Sequence, residues 1–513
     1  MVNGMQESTQ IERLWGTMKT LVDAVVEERK VKDLPQGVFV VEGVADEDRV
    51  TYIRKLEEDE SSQLESTTLQ LLEAMIALMY NDSDLRNKEY RSDSTFLAKL
   101  SARLHRKVTY TIDAPMAVGM SRGSTKVELL VNPIRLCFTC SSPQEVIAVI
   151  RHELYHILYR HLVEGRSFAS DAVTQTTLNI AMDCEINQIP LIVNELPEGC
   201  ITLDYVREKA EDMELEPFAG FTVYYRALSN SDTFKDWLEG KGDDGDNKRT
   251  KVVNENNGGT SRHGLGELAS DGGHATWGDD VDEDSASANV GSLISETLNG
   301  MSDKERGGLS ANMQGLLNKI THKPDVNWKD VLKRQHGKIR NLNKRPTLSR
   351  PNRRFPNRLD LKGKLPVYDI NIVLALDVSG SVGDDALSYA LGEVYHLSDE
   401  LDAPFTVLQI DSELVAVDEV DSPSDFKHIT RKAMGGTRFQ PAFDYLAEKG
   451  LNDKNTLLVY VTDGYGESEG YLNRHGFNNT IWLLVDTNSE ETLSCDGRGR
   501  VYLLNNDSDF VDG

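Results

Sequence analysis

Cysteine is scarce in this chain, with five in 513 residues, and the number is odd. That excludes a disulfide framework as the source of stability and fits a reducing, cytoplasmic setting. Cys137-Phe138-Thr139-Cys140 has the spacing of half a zinc site, but no second cysteine pair completes it, so these read as packed thiols. Long apolar runs are also missing. None approaches the ~20 residues needed to span a bilayer, so no membrane segment is expected. Met1 to Ser8 carries neither a basic nor an apolar stretch, so no secretory signal is expected. Positive charge is in deficit. The net charge of -27 argues against general affinity for nucleic acid or anionic membrane. The length is too great for one core and suits two or three domains.

What is present begins with Arg151-His152-Glu153-Leu154-Tyr155-His156. Histidines four residues apart on a helix project from one face and can share a metal ion. Glu153 then sits beside the ion, where it can take a proton from a bound water, as in a zinc hydrolase. Ser142-Pro143-Gln144-Glu145 reads as a capping box with proline at the first helical position. Val146, Ile147, Val149, Ile150, Leu154, Ile157 and Leu158 supply a wide apolar face, with the histidines on the polar remainder. Lys107 to Ile112 and Lys126 to Val131 read as two strands separated by a Gly/Ser turn. A strand beside such a helix can pair with an extended substrate.

Catalytic zinc needs a third protein ligand. A second helix, expected over Thr176 to Ile189, places Asp183 on one face with Asn179 and Asn187, like a ligand with its supporting amides. Glu185 is the rival, but lies about 200° around the helix from Asp183, and a more distant ligand stays open. His161 is expected to be a surface histidine pointing elsewhere. His274, in Gly273-His274-Ala275-Thr276-Trp277, is a weaker distant candidate.

From about Pro366 the pattern changes. Ile370 to Leu376 is a continuous apolar run, as in a strand buried on both faces of a parallel sheet. Phe405 to Ile410, Leu457 to Thr462 and Thr480 to Val485 follow as strands with helical stretches between them. This is the pattern of an α/β doubly wound domain, whose site lies at the carboxyl ends of its strands. Asp377, Ser379, Ser381, Thr437 and Asp463 all fall at such ends. Their oxygens suit a hard cation such as Mg2+ or another divalent ion.

Asp377-Val378-Ser379-Gly380-Ser381, Thr437 and Asp463 resemble the metal-ion-dependent adhesion site of von Willebrand factor A domains. Arg438 stands where related sequences often carry an acidic residue. The order of the whole chain resembles the bacterial and phage family of zinc metallopeptidases fused to a von Willebrand A-like domain. Asn327-Trp328-Lys329, Arg350-Pro351-Asn352-Arg353-Arg354 and Gly273 to Trp277 add to the likeness, which covers roughly residues 90 to 490. It implies an α+β, zincin-like metallopeptidase domain, then the A-like domain, with Zn2+ at the first site. It also implies a MoxR-type AAA+ ATPase as a partner.

The expected division is a helical region over 1–90 and a metallopeptidase-like domain over 91–238. A polar, acidic, disordered linker over 239–300 follows, then a basic connector over 301–365 and the A-like domain over 366–513. Lys319 to Lys364 carries 15 Lys/Arg against three Asp/Glu. It could contact nucleic acid or an acidic partner, but is expected to neutralise the chain's own acidic surface. The function expected is a zinc endopeptidase whose A-like domain recruits a substrate or an ATPase. The alternative is a non-catalytic, metal-dependent adaptor for that ATPase.

Overall fold

In the computed structural model the described residues are 2–30, 39–44, 49–81, 90–112, 114–120, 126–164, 172–238, 251–253, 260–262, 283–321, 343–351, 362–367, 371–401, 405–420, 429, 431–432, 435–453, 455–466, 477, 479–485, 487, 493–494 and 499–504. They form two compact units, Met1–Ser310 and Ala311–Gly513. Among the described residues no helix is long and apolar enough to cross a membrane.

Unit 1 opens with helix α1 (Val2–Asp23). Ile11, Leu14, Trp15, Met18 and Val22 recur at three- and four-residue steps and are buried. The face packs on α2 (Glu58–Asn81), which buries Leu64, Leu71, Leu72, Met75 and Met79. Between them lie β1 (Val26–Lys30), β2 (Phe39–Val44) and β3 (Arg49–Ile53), an antiparallel sheet in the order β1-β3-β2. The expectation of helix throughout 1–90 fails here. Val40, Val41, Val44, Val50, Thr51 and Ile53 are β-branched and favour extended backbone.

Helix α3 (Arg91–Arg103) leads into β4 (His105–Val108), β5 (Met116–Met120) and β6 (Val127–Val131). The order is β4-β6-β5, with β4 parallel and β5 antiparallel to β6. The first expected strand therefore stops at Val108, and β5 was not anticipated. Every residue of Met116–Met120 is buried, so it lacks the alternation that marks a half-exposed strand. Helices α4 (Pro133–Thr139) and α5 (Pro143–Leu158) follow. Next come α6 (His161–Glu164), α7 (Ala172–Ile186), α8 (Leu203–Lys209), α9 (Phe221–Asn230) and α10 (Asp232–Leu238).

A short antiparallel pair, β7 (Lys251–Val253) and β8 (Thr260–Arg262), lies inside the segment expected to be disordered. So does α11 (Glu283–Asn299), which packs on α3 and α6. Ala286, Val290 and Ile294 bury one side of α11 at four-residue steps, a face too short to stand out in a Gly/Asp/Ser-rich context. The unit closes with α12 (Asp303–Arg306), whose Ser302 and Glu305 form a capping box. Lys99 of α3 reaches the same glutamate at 2.8 Å.

Unit 2 starts at α13 (Ala311–Thr321). Strands β9 (Asn343–Pro351) and β10 (Lys362–Val367) pair antiparallel within the basic connector. Asn327-Trp328-Lys329, Asn352 to Arg354 and Gly273 to Trp277 lie outside the described residues. The sheet proper comprises β11 (Asn371–Asp377), β12 (Phe405–Ile410), β13 (Leu414–Val420), β14 (Thr456–Thr462), β15 (Thr480–Leu484) and β16 (Arg500–Leu503). Its order is β13-β12-β11-β14-β15-β16, parallel except for edge strand β13. Helix α14 (Asp384–Leu401) follows β11, and α15 (Gln440–Glu448) precedes β14.

Alternation along β11 divides the core. Ile372, Leu374 and Leu376 pack with Leu391, Val394 and Leu397 of α14. Val373 and Ala375 pack with Phe439, Phe443 and Trp482 on the other face. Helices thus cover both faces of a mostly parallel sheet, the doubly wound arrangement. The chain order reverses at β11, with β12 on one side and β14 on the other. The carboxyl ends of β11 and β14 flank that switch point, where such folds place their ligands.

Candidate metal centre

Helix α5 starts where the sequence indicates. Ser142 caps it by accepting from the Glu145 amide at 3.3 Å, and Pro143 occupies the first turn. The return bond of the capping box goes one residue further back, with Ser141 N donating to Glu145 Oε2 at 2.8 Å. The helix is buried on nearly all sides, and Arg151, Glu153 and His156 share that burial with the aliphatic residues. The histidines therefore face the interior and not a polar exterior.

His152 and His156 point their Nε2 atoms at each other, 3.0 Å apart. Asp183 Oδ1, from α7, lies 3.4 Å from the first and 3.5 Å from the second. Ligand atoms around a tetrahedral zinc with bonds of roughly 2.0–2.1 Å stand about 3.3 Å from one another. The three groups match that triangle, so the donor set fits a divalent ion. Two neutral imidazoles and one carboxylate are also the borderline-soft combination that zinc takes.

The outer atoms of these ligands are held as well. Asn187 donates Nδ2 to the Ile201 carbonyl at 2.7 Å, which turns its Oδ1 towards His152 Nδ1 at 2.8 Å. His152 Nδ1 therefore keeps its proton, and Nε2 is the nitrogen left to face a metal. Burial alone would lower the His152 pKa, but the Asp183 carboxylate, Glu153 and the Asn187 hydrogen bond outweigh it and raise it to about 9.

Glu153 lies alongside, with Oε2 accepting from the Val118 amide of β5 at 2.9 Å. Burial is the main cause that lifts its carboxyl to about 7. His152 and the Val118 N–H oppose the rise, and Asp183 adds to it. A small pocket open to solvent places Met116, Val149, Leu196 and Ile201 around His152, Glu153 and Asp183.

One expectation is overturned beside this centre. His161 is fully buried and not a surface residue: its Nδ1 lies 2.9 Å from His156 Nδ1, and its Nε2 lies 3.0 Å from Glu185 Oε2. The reason is local. Helix α5 ends at Leu158 and Arg160 turns left-handed, with φ of 58°, so His161 starts a new turn instead of continuing the old one. Arg160 is held in that conformation through a hydrogen bond to Ser287 of α11. Glu185, the rival ligand, faces His161 and accepts from Phe221 N at 3.1 Å, away from the Asp183 side of α7. His274 lies outside the described residues. Cys140 and Cys184 are buried, and burial raises both thiols; Cys137 is pushed up to about 12. They pack as thiols.

Unit 2 gathers oxygens at its switch point. Asp377 is buried at the end of β11, where Oδ1 accepts from Ser379 N at 3.0 Å and Oδ2 from Thr462 Oγ1 at 2.7 Å. Ser379 and Ser381 hydroxyls are 3.1 Å apart. Burial raises the Asp377 carboxyl, hydrogen bonds from Ser379 and Thr462 lower it, and nearby Asp463 raises it. Asp463 accepts from the Tyr465 amide at 3.0 Å in a turn completed by Gly464, whose φ of 90° few side chains tolerate.

Thr437 is half-buried in the neighbouring loop, which is tied to the first motif by Gly380 N donating to Gly435 O at 3.2 Å. A side chain at Gly435 would meet Asp411 Oδ2 at 2.5 Å, so the loop needs glycine there. Arg438 is exposed, and its amide donates to Asp411 O at 2.8 Å. Thr462 and Arg431 are additions the sequence did not single out. Arg431 donates to the carbonyls of Ser379 and Val382 at 3.3 and 2.6 Å, bracing the loop after β11. Thr462 sits just before an aspartate already noted, but Arg431 belongs to no motif.

Residues 127–367 match the family model described as "Putative metallopeptidase domain", and residues 372–490 match one described as "VWA-like domain". The chain is also 23% identical over 327 residues, 62% of its length and 74% of the other's, to an uncharacterised protein of Thermotoga maritima. The first match runs beyond Ser310, so its final part, with α13, β9 and β10, belongs structurally to unit 2.

Proposed function

Because adjoining stretches of the chain match the "Putative metallopeptidase domain" and the "VWA-like domain", we propose that it is a zinc-dependent endopeptidase acting in the cytoplasm. The observation that carries this reading is the convergence of His152 Nε2, His156 Nε2 and Asp183 Oδ1 beside a buried Glu153. Helix α5, edge strand β5 and helix α7 supply the parts of a zincin-like site, with Glu153 as the catalytic residue. A zinc ion bound there supplies Lewis acidity and acidifies water.

The protein groups do the rest. Val118 N fixes one oxygen of Glu153, leaving Oε1 to take a proton from the attacking water and return it to the leaving amine. Met116, Val149, Leu196 and Ile201 form an apolar wall that would receive an apolar side chain of the substrate.

In the A-like domain, Asp377, Ser379, Ser381, Thr437 and Asp463 would hold Mg2+ or a related divalent ion. Tyr465, 65% exposed next to Asp463, offers an aromatic contact for a protein partner at that face. The partner is either the substrate or a MoxR-type AAA+ ATPase, and the basic connector neutralises acidic surface of the chain itself. A second reading, a non-catalytic adaptor, draws on the same oxygen cluster, whose chemistry is binding alone.

Glu153→Gln separates the two. The expected outcome is a loss of peptide cleavage by about 10²–10⁴-fold, with zinc content by metal analysis unchanged. Substrate should then remain attached to the variant and be identifiable by mass spectrometry. Equal cleavage by variant and parent would sink the peptidase reading. A parent that cleaves nothing, but loses a bound ATPase on Asp377→Ala, would favour the adaptor.

A further inference from the structure

We infer that His161 and Glu185 are a positioning pair that sets the tautomer of His156, so that its inner nitrogen is presented to a metal as a lone pair. The inference rests on the reading of His152, His156 and Asp183 as ligands. A carboxylate only accepts, and Glu185 Oε2 receives the Phe221 amide at 3.1 Å and His161 Nε2 at 3.0 Å. A neutral His161 therefore carries its proton on Nε2 and has a lone pair on Nδ1. Across the 2.9 Å contact, His156 must then donate from its own Nδ1. That leaves His156 Nε2 unprotonated, facing His152 Nε2 at 3.0 Å.

On the far side, Asn187 imposes the same polarity on His152. The 3.0 Å contact then makes His156 Nε2 the acceptor, and a cation shared by both rings would take the place of a proton between them. The polarity of the whole chain of bonds, from a backbone amide through Glu185 and His161 to His156, thus ends on the metal position.

The pair is built to hold that polarity. His161 and Glu185 side chains are 0% and 1% exposed, so water cannot replace either partner. The His161 ring lies against Phe221, centroids 5.2 Å apart, and against Tyr159 at 5.8 Å, which fixes its plane. The left-handed Arg160 delivers it there. A histidine serving only as core filler would not require a carboxylate buried behind it.

The test uses the full chain stripped of metal, with ¹⁵N-labelled histidine. The expected spectrum shows His156 protonated at Nδ1 alone and His161 at Nε2 alone. Zinc affinity, measured by chelator competition, should fall about 10–100-fold in His161→Phe, which keeps the ring volume without an acceptor. The visible spectrum of the Co2+-loaded variant should shift. His161→Asn, whose carbonyl can accept from His156, and Glu185→Gln, which keeps an acceptor oxygen, should recover most of the affinity.

A folded His161→Phe with parental zinc affinity, or a parent with His156 protonated at Nε2, would overturn the inference. Where His161→Phe does not fold, the parental tautomers and Glu185→Gln decide. A parent with the expected tautomers that binds no zinc would sink the metal-centre reading and leave the tautomer relay intact.

Discussion

In unit 1 the converging groups stand on helices α5 and α7, and each ring is gripped from behind by a buried partner. In unit 2 they stand on loops leaving β11 and β14, and they satisfy one another: Ser379 with Ser381, Thr462 with Asp377. The first arrangement confronts two ring nitrogens with a carboxylate and has its polarity fixed before any ion arrives. The second is a closed set of hydrogen bonds that an ion must enter and rearrange. Nitrogen ligands on rigid helices suit a metal that is kept, whereas hydroxyls on loops suit one that exchanges. A fixed reaction centre and an exchangeable recognition site would be expected to differ in this way.

The sharpest way to break that contrast is to remove one carboxylate from each site. Asp183→Ala should lower zinc affinity by at least about 100-fold, with Mg2+ binding untouched, and Asp377→Ala should do the reverse. Calorimetry provides the readout. Metal at 100 times its dissociation constant stabilises its own unit by about 2.7 kcal/mol, so zinc should shift one unfolding transition and Mg2+ the other. If both metals moved the same transition, the two-site description would fail.

A smaller effect concerns pH. With its pKa raised on folding, Asp377 adds stability that is fully present below the unfolded carboxylate value and is lost as pH rises through the folded one. Without divalent ions, the parent should therefore gain stability over Asp377→Asn as pH falls towards 4. Saturating Mg2+ should abolish that gain, because a bound cation favours the ionised carboxylate. Denaturant titrations of both proteins at several pH values would measure it. No dependence on Mg2+ would mean that the cluster is not a cation site.

Smallest is Arg431→Met, which removes two hydrogen bonds from a charged donor to the loop after β11. Mg2+ affinity should weaken several-fold, equivalent to about 1 kcal/mol, with zinc affinity unchanged. An equal loss at both metals would point to general destabilisation.

The two units also differed in how much of them could be read from the residues. Four of the five parallel strands of this sheet were placed to within a residue or two, because strands buried on both faces are continuous aliphatic runs ending at polar turns. Helix α5 was legible from its cap, and Asp183 from its amide neighbours. Strand β5 was not, since Met-Ala-Val-Gly-Met lacks alternation and has a single β-branched residue. The burial of His161 is not legible, because nothing in the residue type of Arg160 announces the left-handed turn that produces it. Side chains such as Arg431, acting on distant carbonyls, leave no spacing to find. Pattern reports periodic burial; it is silent on where a chain turns back.

Helices α10 and α11 both lie within the first unit, although the polar stretch from 239 to 282 separates them in sequence. That stretch is therefore an excursion with both ends moored to one body, not a tether between bodies. A proteolytic nick anywhere along it would create two polypeptides on a denaturing gel that still migrate together in native conditions. Arg160 and Ser287, Lys99 and Glu305, and the buried side of α11 would hold the pieces as one.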